Sequence, residues 1–146
     1  MNFGIIPARY APYLLSLLRI VTGLVFMEHG TGKLLHFPVL PGLDQMPAAA
    51  VYGTGTVDLL GGLLILAGLF TRPVAFVLSG FMAAAYWLVH VGMGGIFPVL
   101  NGGEPAVLYC FAFLYFAAAG AGPISIDAAL GARNETEAKS LSLGKV

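Results

Sequence analysis

Charge is the first thing this sequence lacks. Only 10% of its 146 residues are Asp, Glu, Lys or Arg, against about 25% in a soluble domain. With 58% hydrophobic residues and a mean hydropathy of +0.88, the chain has little polar surface with which to face water. Seven basic residues balance seven acidic ones, and no basic patch stands out, which argues against a nucleic-acid partner. Cysteine is nearly absent. Cys110 alone excludes an intrachain disulfide and every CxxC redox motif. The opening "MNFGIIPARYAP" (1–12) lacks a basic start followed by an apolar run and a small-residue cleavage site, so the first apolar run is expected to be a permanent helix. A Gly-rich phosphate loop and a nucleophile elbow are also missing.

What is present is a series of apolar runs long enough to cross a bilayer. They are expected at about 13–35, 50–70, 74–91 and 104–119, separated by "HFPVLPGLDQMP" (36–47), "TRP" (71–73) and "GMGGIFPVLNGG" (92–103), and closed by "GAGP" (120–123). The expected fold class is an all-α integral membrane four-helix bundle with short loops. A transmembrane domain covers 1–131, and the polar stretch 132–146 is expected to be a disordered tail. Pro7 and Pro12 bracket a short pre-membrane segment with Tyr10 and Tyr13 at headgroup level. Four spans place both termini on one side, together with Arg9, Arg72, Arg133, Lys139 and Lys145. Lys33 lies near the other side, with Asp44 and Glu104. The positive-inside rule then puts both termini in the cytoplasm. "FPVLPGLD" (37–44) recurs as "FPVLNGGE" (97–104), as a duplicated two-helix hairpin or a coincidence would produce.

The few charges concentrate in the apolar runs. Residues three, four and seven apart share a helix face. On the first span Arg19, Gly23, Phe26, Gly30 and Lys33 form a stripe with Thr22 and His29 at its edge, while Glu28 points elsewhere, toward another neighbour or subunit. Thr54, Gly55, Asp58, Gly61, Gly62 and Ile65 form a small-and-polar stripe on the second. On the third, Ser79, Met82, Ala83, Tyr86 and His90 align. Glu104, Leu108, Phe111 and Tyr115 align on the fourth. At about 1.5 Å per residue, Glu28, His29, Lys33, Asp58, His90 and Glu104 fall in the outer half of the bilayer and Arg19 in the inner half. Charges at such depth cost about 2.5–3.5 kcal/mol each on insertion scales, so a shared interior site is expected.

Each group also has a purely structural reading. Arg19 and Lys33 can snorkel, His29 and His90 can hydrogen-bond within the bundle, Asp58 can bridge to Lys33 or Arg19, and Cys110 can be inert core. Haem ligation by His29 and His90 has no accompanying signal. The adjacent Glu28 and His29 lie on different faces, unlike the Glu-x-x-His of a di-iron site, and no metal site is expected. An acid and imidazole pocket with aromatic walls suits a carbonyl-bearing lipophilic ligand such as a quinone.

Four stretches together resemble the DoxX family. "LLRIVTGLVFMEHGTGKLL" (17–35) is similar to its first helix, with an Arg and then HG-x-x-K. "DLLGGLLILAGLFTRPVA" (58–75) is similar to its acidic residue, GG and GL-T-R signature, with Asp58 where many members carry Glu. "NGGEPAVLY" (101–109) and "GAGPISID" (120–127) resemble the fourth-helix glutamate and the closing motif, with Ala121 replacing a glycine. The resemblance implies a multi-pass protein of the bacterial inner membrane, related to subunits of a thiosulfate:quinone oxidoreductase and to a membrane partner of oxidoreductase and detoxification complexes. It carries over Arg19, His29, Lys33, Asp58, Glu104, Ser125 and Asp127.

The leading expectation is a redox-associated subunit that binds a quinone or similar lipophilic ligand in an outer-half pocket. His29, Asp58, His90 and Glu104 would position or protonate the ligand, and Arg19 and Lys33, with Tyr86 and Tyr115, would bind it. Electrons would come from a redox partner in a homo-oligomeric or hetero-complex. A non-catalytic anchor or assembly subunit, and a small transporter or proton path, remain as alternatives.

Overall fold

Proline and glycine mark where the helices of this chain begin and end. The computed structural model describes residues 5–143, with side chains through residue 134. Helix α1 (Ala11–Leu35) carries Pro12 in its first turn, where a missing N–H leaves nothing unsatisfied. Pro47 precedes α2 (Ala48–Ala67), which closes on Gly68 at φ 67°, with the amides of Gly68 and Leu69 returning to the carbonyls of Ile65 and Leu64. Helix α3 (Thr71–Gly94) contains a π-helical turn at Tyr86–His90. After the one-turn helix Pro98–Asn101 come α4 (Glu104–Ala119) and α5 (Ile126–Leu143). The described residues contain no strand.

Three of these helices are long and apolar enough to cross a membrane: α1 with its preceding turn (28 residues), α2 (20) and α3 (24). The fourth expected span, α4, has 16 residues. At about 1.5 Å per residue it measures about 24 Å, short of the ≈ 30 Å hydrocarbon core. The chain is an all-α membrane helical bundle. Its closest packing lies within two consecutive hairpins, α1 with α2 and α3 with α4, while α2–α3 and α1–α4 meet less extensively.

Glycine sets the α1–α2 distance. A Cβ on Gly23 would stand 2.6 Å from the Leu66 amide nitrogen, and one on Gly62 would stand 2.8 Å from the Met27 Cα. The two backbones therefore touch, which is the geometry that small residues permit between membrane helices. The core beside this seam is Phe26, Ile65, Ala75, Leu78, Met82, Phe113 and Phe116. Ser79 ties the second hairpin together, its hydroxyl donating to the Cys110 carbonyl at 2.9 Å.

Two expectations need correction. The segment 132–143 continues α5 instead of forming a disordered tail, and 144–146 lie outside the described residues. Ser125 receives the Ala128 amide at 3.1 Å in an N-cap contact, and the Ala-rich run after it favours helix. The inward face of α4 also differs. Leu108, Phe111 and Tyr115 are exposed at 71%, 65% and 55%, whereas Ala106, Phe113 and Phe116 are buried. A helix that is apolar all round carries no stripe to reveal its inner face.

Candidate functional site

The ionisable residues sort to the two ends of the bundle. At one end Arg19, 1% exposed, sits one turn past Ser16 on α1. Its Nε donates to the Ala121 carbonyl at 2.9 Å, Nη1 to Ile65 and Leu66 at 2.5 and 2.6 Å, and Nη2 to Ile124 at 2.5 Å. Two of these acceptors are terminal carbonyls of α2, where a helix presents partial negative charge. Four of the five guanidinium N–H donors are thus spent on backbone. Arg19 does not snorkel, and it is remote in sequence and structure from the groups it was expected to assist.

The loops around Arg19 close on one another. Asp127 accepts the amides of Phe70 and Thr71 at 2.8 and 2.9 Å, capping the start of α3 with its carboxylate, while its own amide donates to the Gly68 carbonyl. Arg72 donates to the Ala118 carbonyl at 2.6 Å at the end of α4. The Ile124 amide donates to Ser16 Oγ at 3.1 Å. The motifs "GLFTRP" and "GAGPISID" therefore form one clamp of helix caps with Arg19 at its centre. This clamp also places the start of α1, the end of α2, the start of α3 and the end of α4 at the same end of the bundle.

At the opposite end, Lys33 Nζ meets Asp58 Oδ2 at 2.7 Å, joining α1 to α2. Asp58 is 2% exposed, and His29, one helical turn before Lys33, is close enough to act on it electrostatically. The His29 ring packs edge-on against Tyr109 of α4, with centroids 6.1 Å apart. Tyr109 in turn packs against Phe26 and Phe113, at 5.2 and 5.8 Å, and lies within electrostatic reach of both Glu28 and Asp58. Glu28 itself is exposed on α1. Glu28, His29 and Tyr109 make no side-chain hydrogen bond to another described residue. Three proton-bearing groups without partners thus border a seam where α1 and α4 meet only lightly, next to an ion pair that is already matched.

The other candidates lie apart from this cluster. His90 Nδ1 contacts the Asn101 carbonyl at 3.1 Å, and the Tyr86 hydroxyl donates to the Ile96 carbonyl at 2.6 Å. Asn101 then bridges Gly95 and Gly103. The π turn of α3 thereby holds the 95–103 loop, and among the described residues no hydrogen bond joins His90 to Asp58, which pairs with Lys33 instead. Glu104 is exposed at the first turn of α4, and Tyr115 stands on that helix's outward face. Tyr109 and Asn101 were missed from sequence. Tyr109 is four residues before Phe113 and seven before Phe116, so its stripe was visible, but nothing distinguished it from the competing stripe through Tyr115.

Helical hairpins joined through close glycine contacts, with a capped clamp at one end and an ion pair at the other, define a multi-pass membrane protein built from small helical units. The DoxX family model matches residues 14–91. A protein of Haemophilus influenzae described as an uncharacterized protein is 44% identical over 123 residues, covering 82% of this chain and 92% of its own length. The chain belongs to the DoxX family. No solved structure matches it.

Proposed function

We propose that this protein is a membrane subunit that receives the head group of a quinone, or of a similar carbonyl-bearing lipid, at the His29–Tyr109 seam. The observation that carries this reading is the set of three unpartnered groups, Glu28, His29 and Tyr109, gathered beside the Lys33–Asp58 pair. Glu28 is exposed and His29 and Tyr109 are half-buried, so their polar atoms are accessible at the seam. Groups left without a partner at a lightly packed seam are available to a ligand arriving from the bilayer.

The donor set suits such a ligand. The His29 imidazole and the Tyr109 phenol can donate to a carbonyl oxygen, and Glu28 can supply a proton to either of them. Lys33, held by Asp58, supplies positive charge close to the position where an oxygen gains negative charge. Phe26 and Phe113 offer flat apolar walls. A bound quinone takes up two electrons and two protons to become a quinol. The protons are drawn through these side chains, and the electrons come from a redox partner.

By the positive-inside rule the clamp end, with Arg9, Arg72 and Arg133, faces the cytoplasm of a bacterial inner membrane, and the His29 seam opens in the outer half. The test is mass spectrometry of lipids extracted from the purified protein and from His29→Phe. This reading expects bound quinone in the wild type and its loss from the variant. Equal quinone in both, or none in either alongside stable copurification of a partner, would leave an anchoring role in its place.

A further inference from the structure

The loop between α3 and α4 returns deep into the membrane-crossing part of the bundle. Arg72 of α3 donates to the Ala118 carbonyl and Ser79 to the Cys110 carbonyl, so the two helices are level at the clamp and run in step. From there the 24 residues of α3 climb about 36 Å and the 16 of α4 about 24 Å. The loop 95–103 must descend the difference of about 12 Å along the outer part of α3. The 20 residues of α2 measure about 30 Å, the thickness of the hydrocarbon core. The foot of the loop, at Gly103, therefore stands about 6 Å inside that core.

Backbone at that depth has no water to serve it. Here side chains do so. The Tyr86 hydroxyl donates to the Ile96 carbonyl at 2.6 Å, and His90 Nδ1 meets the Asn101 carbonyl at 3.1 Å. Asn101 donates to the Gly95 carbonyl at 2.7 Å and accepts the Gly103 amide at 2.8 Å. Tyr86 and Asn101 are themselves buried. The similar "FPVLPGLD" stretch supplies a comparison. Its loop, 36–47, follows the 25 residues of α1, about 37 Å of helix, and carries Asp44. The described hydrogen bonds of that loop are backbone to backbone. The loop 95–103 has no charged residue, and Val99 and Leu100 point outward, 70% and 72% exposed.

We infer that the loop 95–103 is immersed in the leaflet opposite the clamp, where Ile96, Phe97, Val99 and Leu100 contact lipid acyl chains. Tyr86, His90 and Asn101 supply the hydrogen bonds that water gives an ordinary loop. Glu104 stands at the loop's foot, exposed in the first turn of α4, where a helix N-terminus favours a carboxylate. A bilayer thinned to the level of Glu104 would instead leave the loop in water, and this is the competing arrangement. The inference is independent of the quinone reading, because it uses no residue of the His29–Tyr109 seam.

Spin-label accessibility in nanodiscs decides between the two. The full chain, with Cys110→Ala, carries one nitroxide through Val99→Cys, Leu100→Cys, Leu60→Cys or Asp44→Cys. Leu60, outward on the middle of α2, and Asp44, in an exposed loop turn, set the lipid and water limits. Collisions with oxygen should outweigh those with a water-soluble nickel chelate at Val99 and Leu100, as at Leu60. The logarithm of that ratio should be opposite in sign to the value at Asp44. Values at Val99 and Leu100 that match Asp44 would overturn the inference in favour of the thinned bilayer. Asn101→Ala leaves the Gly95 carbonyl and the Gly103 amide unpaired, so the Val99 label should then shift toward nickel access. An unchanged Val99 ratio in a folded Asn101→Ala would overturn the role given to the side chains. If Asn101→Ala does not fold, Tyr86→Phe, which removes only the bond to Ile96, takes its place with the same expectation.

Discussion

Replacing Arg19 with Met keeps the length and apolar stem of the side chain and removes every bond it makes to the clamp. Two of the carbonyls it serves, Ala121 and Ile65, are reached by fully buried bonds, whereas the bonds to Leu66 and Ile124 are partly buried. Water at the membrane edge can serve the second pair but not the first. The Ile65 carbonyl keeps the Gly68 amide, so Ala121 is the buried acceptor left unpaired, and at about 1–3 kcal/mol for such a group the variant should lose at least about 1–3 kcal/mol. At about 2–4 °C per kcal/mol for a chain of this size, the melting temperature should fall by more than about 2 °C. Cys110 is the one cysteine and is half-buried between α3 and α4, so a thiol-reactive dye reports unfolding directly in mild detergent. Arg19→Lys should fall in between, because one ammonium cannot reach carbonyls spread over α2 and the 121–124 loop. A melting temperature for Arg19→Met within a degree or two of the wild type would refute the clamp, and with it the assignment of Arg19 to structure.

Three further perturbations probe other parts of the fold. Gly62→Val should force α1 and α2 apart at Met27, costing about 1–3 kcal/mol as overpacking does, and would be seen as a reduced yield of folded protein by size-exclusion chromatography. Asp127→Ala should remove the cap on the Phe70 and Thr71 amides for about 0.5–2 kcal/mol, read by the same dye, while Asp44→Ala, in an exposed loop turn, should leave the melting temperature unchanged. Asp58→Leu should destabilise the bundle by about 3–5 kcal/mol, because Lys33 is then left without its partner, and Lys33→Met added to it should restore most of that loss. Failure of the double variant to recover would mean that Asp58 serves a group other than Lys33.

Much of α1 and α2 could be read from the sequence, because their inward faces contrast with the rest of each helix. Arg19, Gly23, Phe26 and Gly30, and on α2 Gly55, Asp58, Gly61, Gly62 and Ile65, recur at helical spacing and all are buried. The Lys33–Asp58 pair followed from two opposite charges on those stripes. The inward face of α4 could not be read, since Glu104 is its only charged residue and its apolar side chains surround the axis. Helical spacing from Glu104 therefore leads to Tyr115, whereas the structure packs Tyr109 against Phe26 and Phe113. The role of Arg19 was also hidden, because its partners are carbonyls, which every residue has. The π turn at Tyr86–His90 has no residue signature and redirects His90 to the 95–103 loop. Ser125 and Asp127, in contrast, mark a helix start in a form that could have been read, and α5 follows from them.

The central claim is that the groups at the His29–Tyr109 seam serve a ligand and do not merely pack. It is tested most directly by titrating a quinone head-group analogue into wild type, Tyr109→Phe and Asp58→Asn in nanodiscs, with the melting temperature of each recorded in parallel. Tyr109→Phe removes one hydroxyl that no described residue uses, so its stability should match the wild type. The account predicts saturable binding in the wild type, at least about fivefold weaker binding in Tyr109→Phe for the loss of one hydrogen bond of about 1 kcal/mol, and weaker binding still in a folded Asp58→Asn. Wild-type affinity in both variants would contradict it.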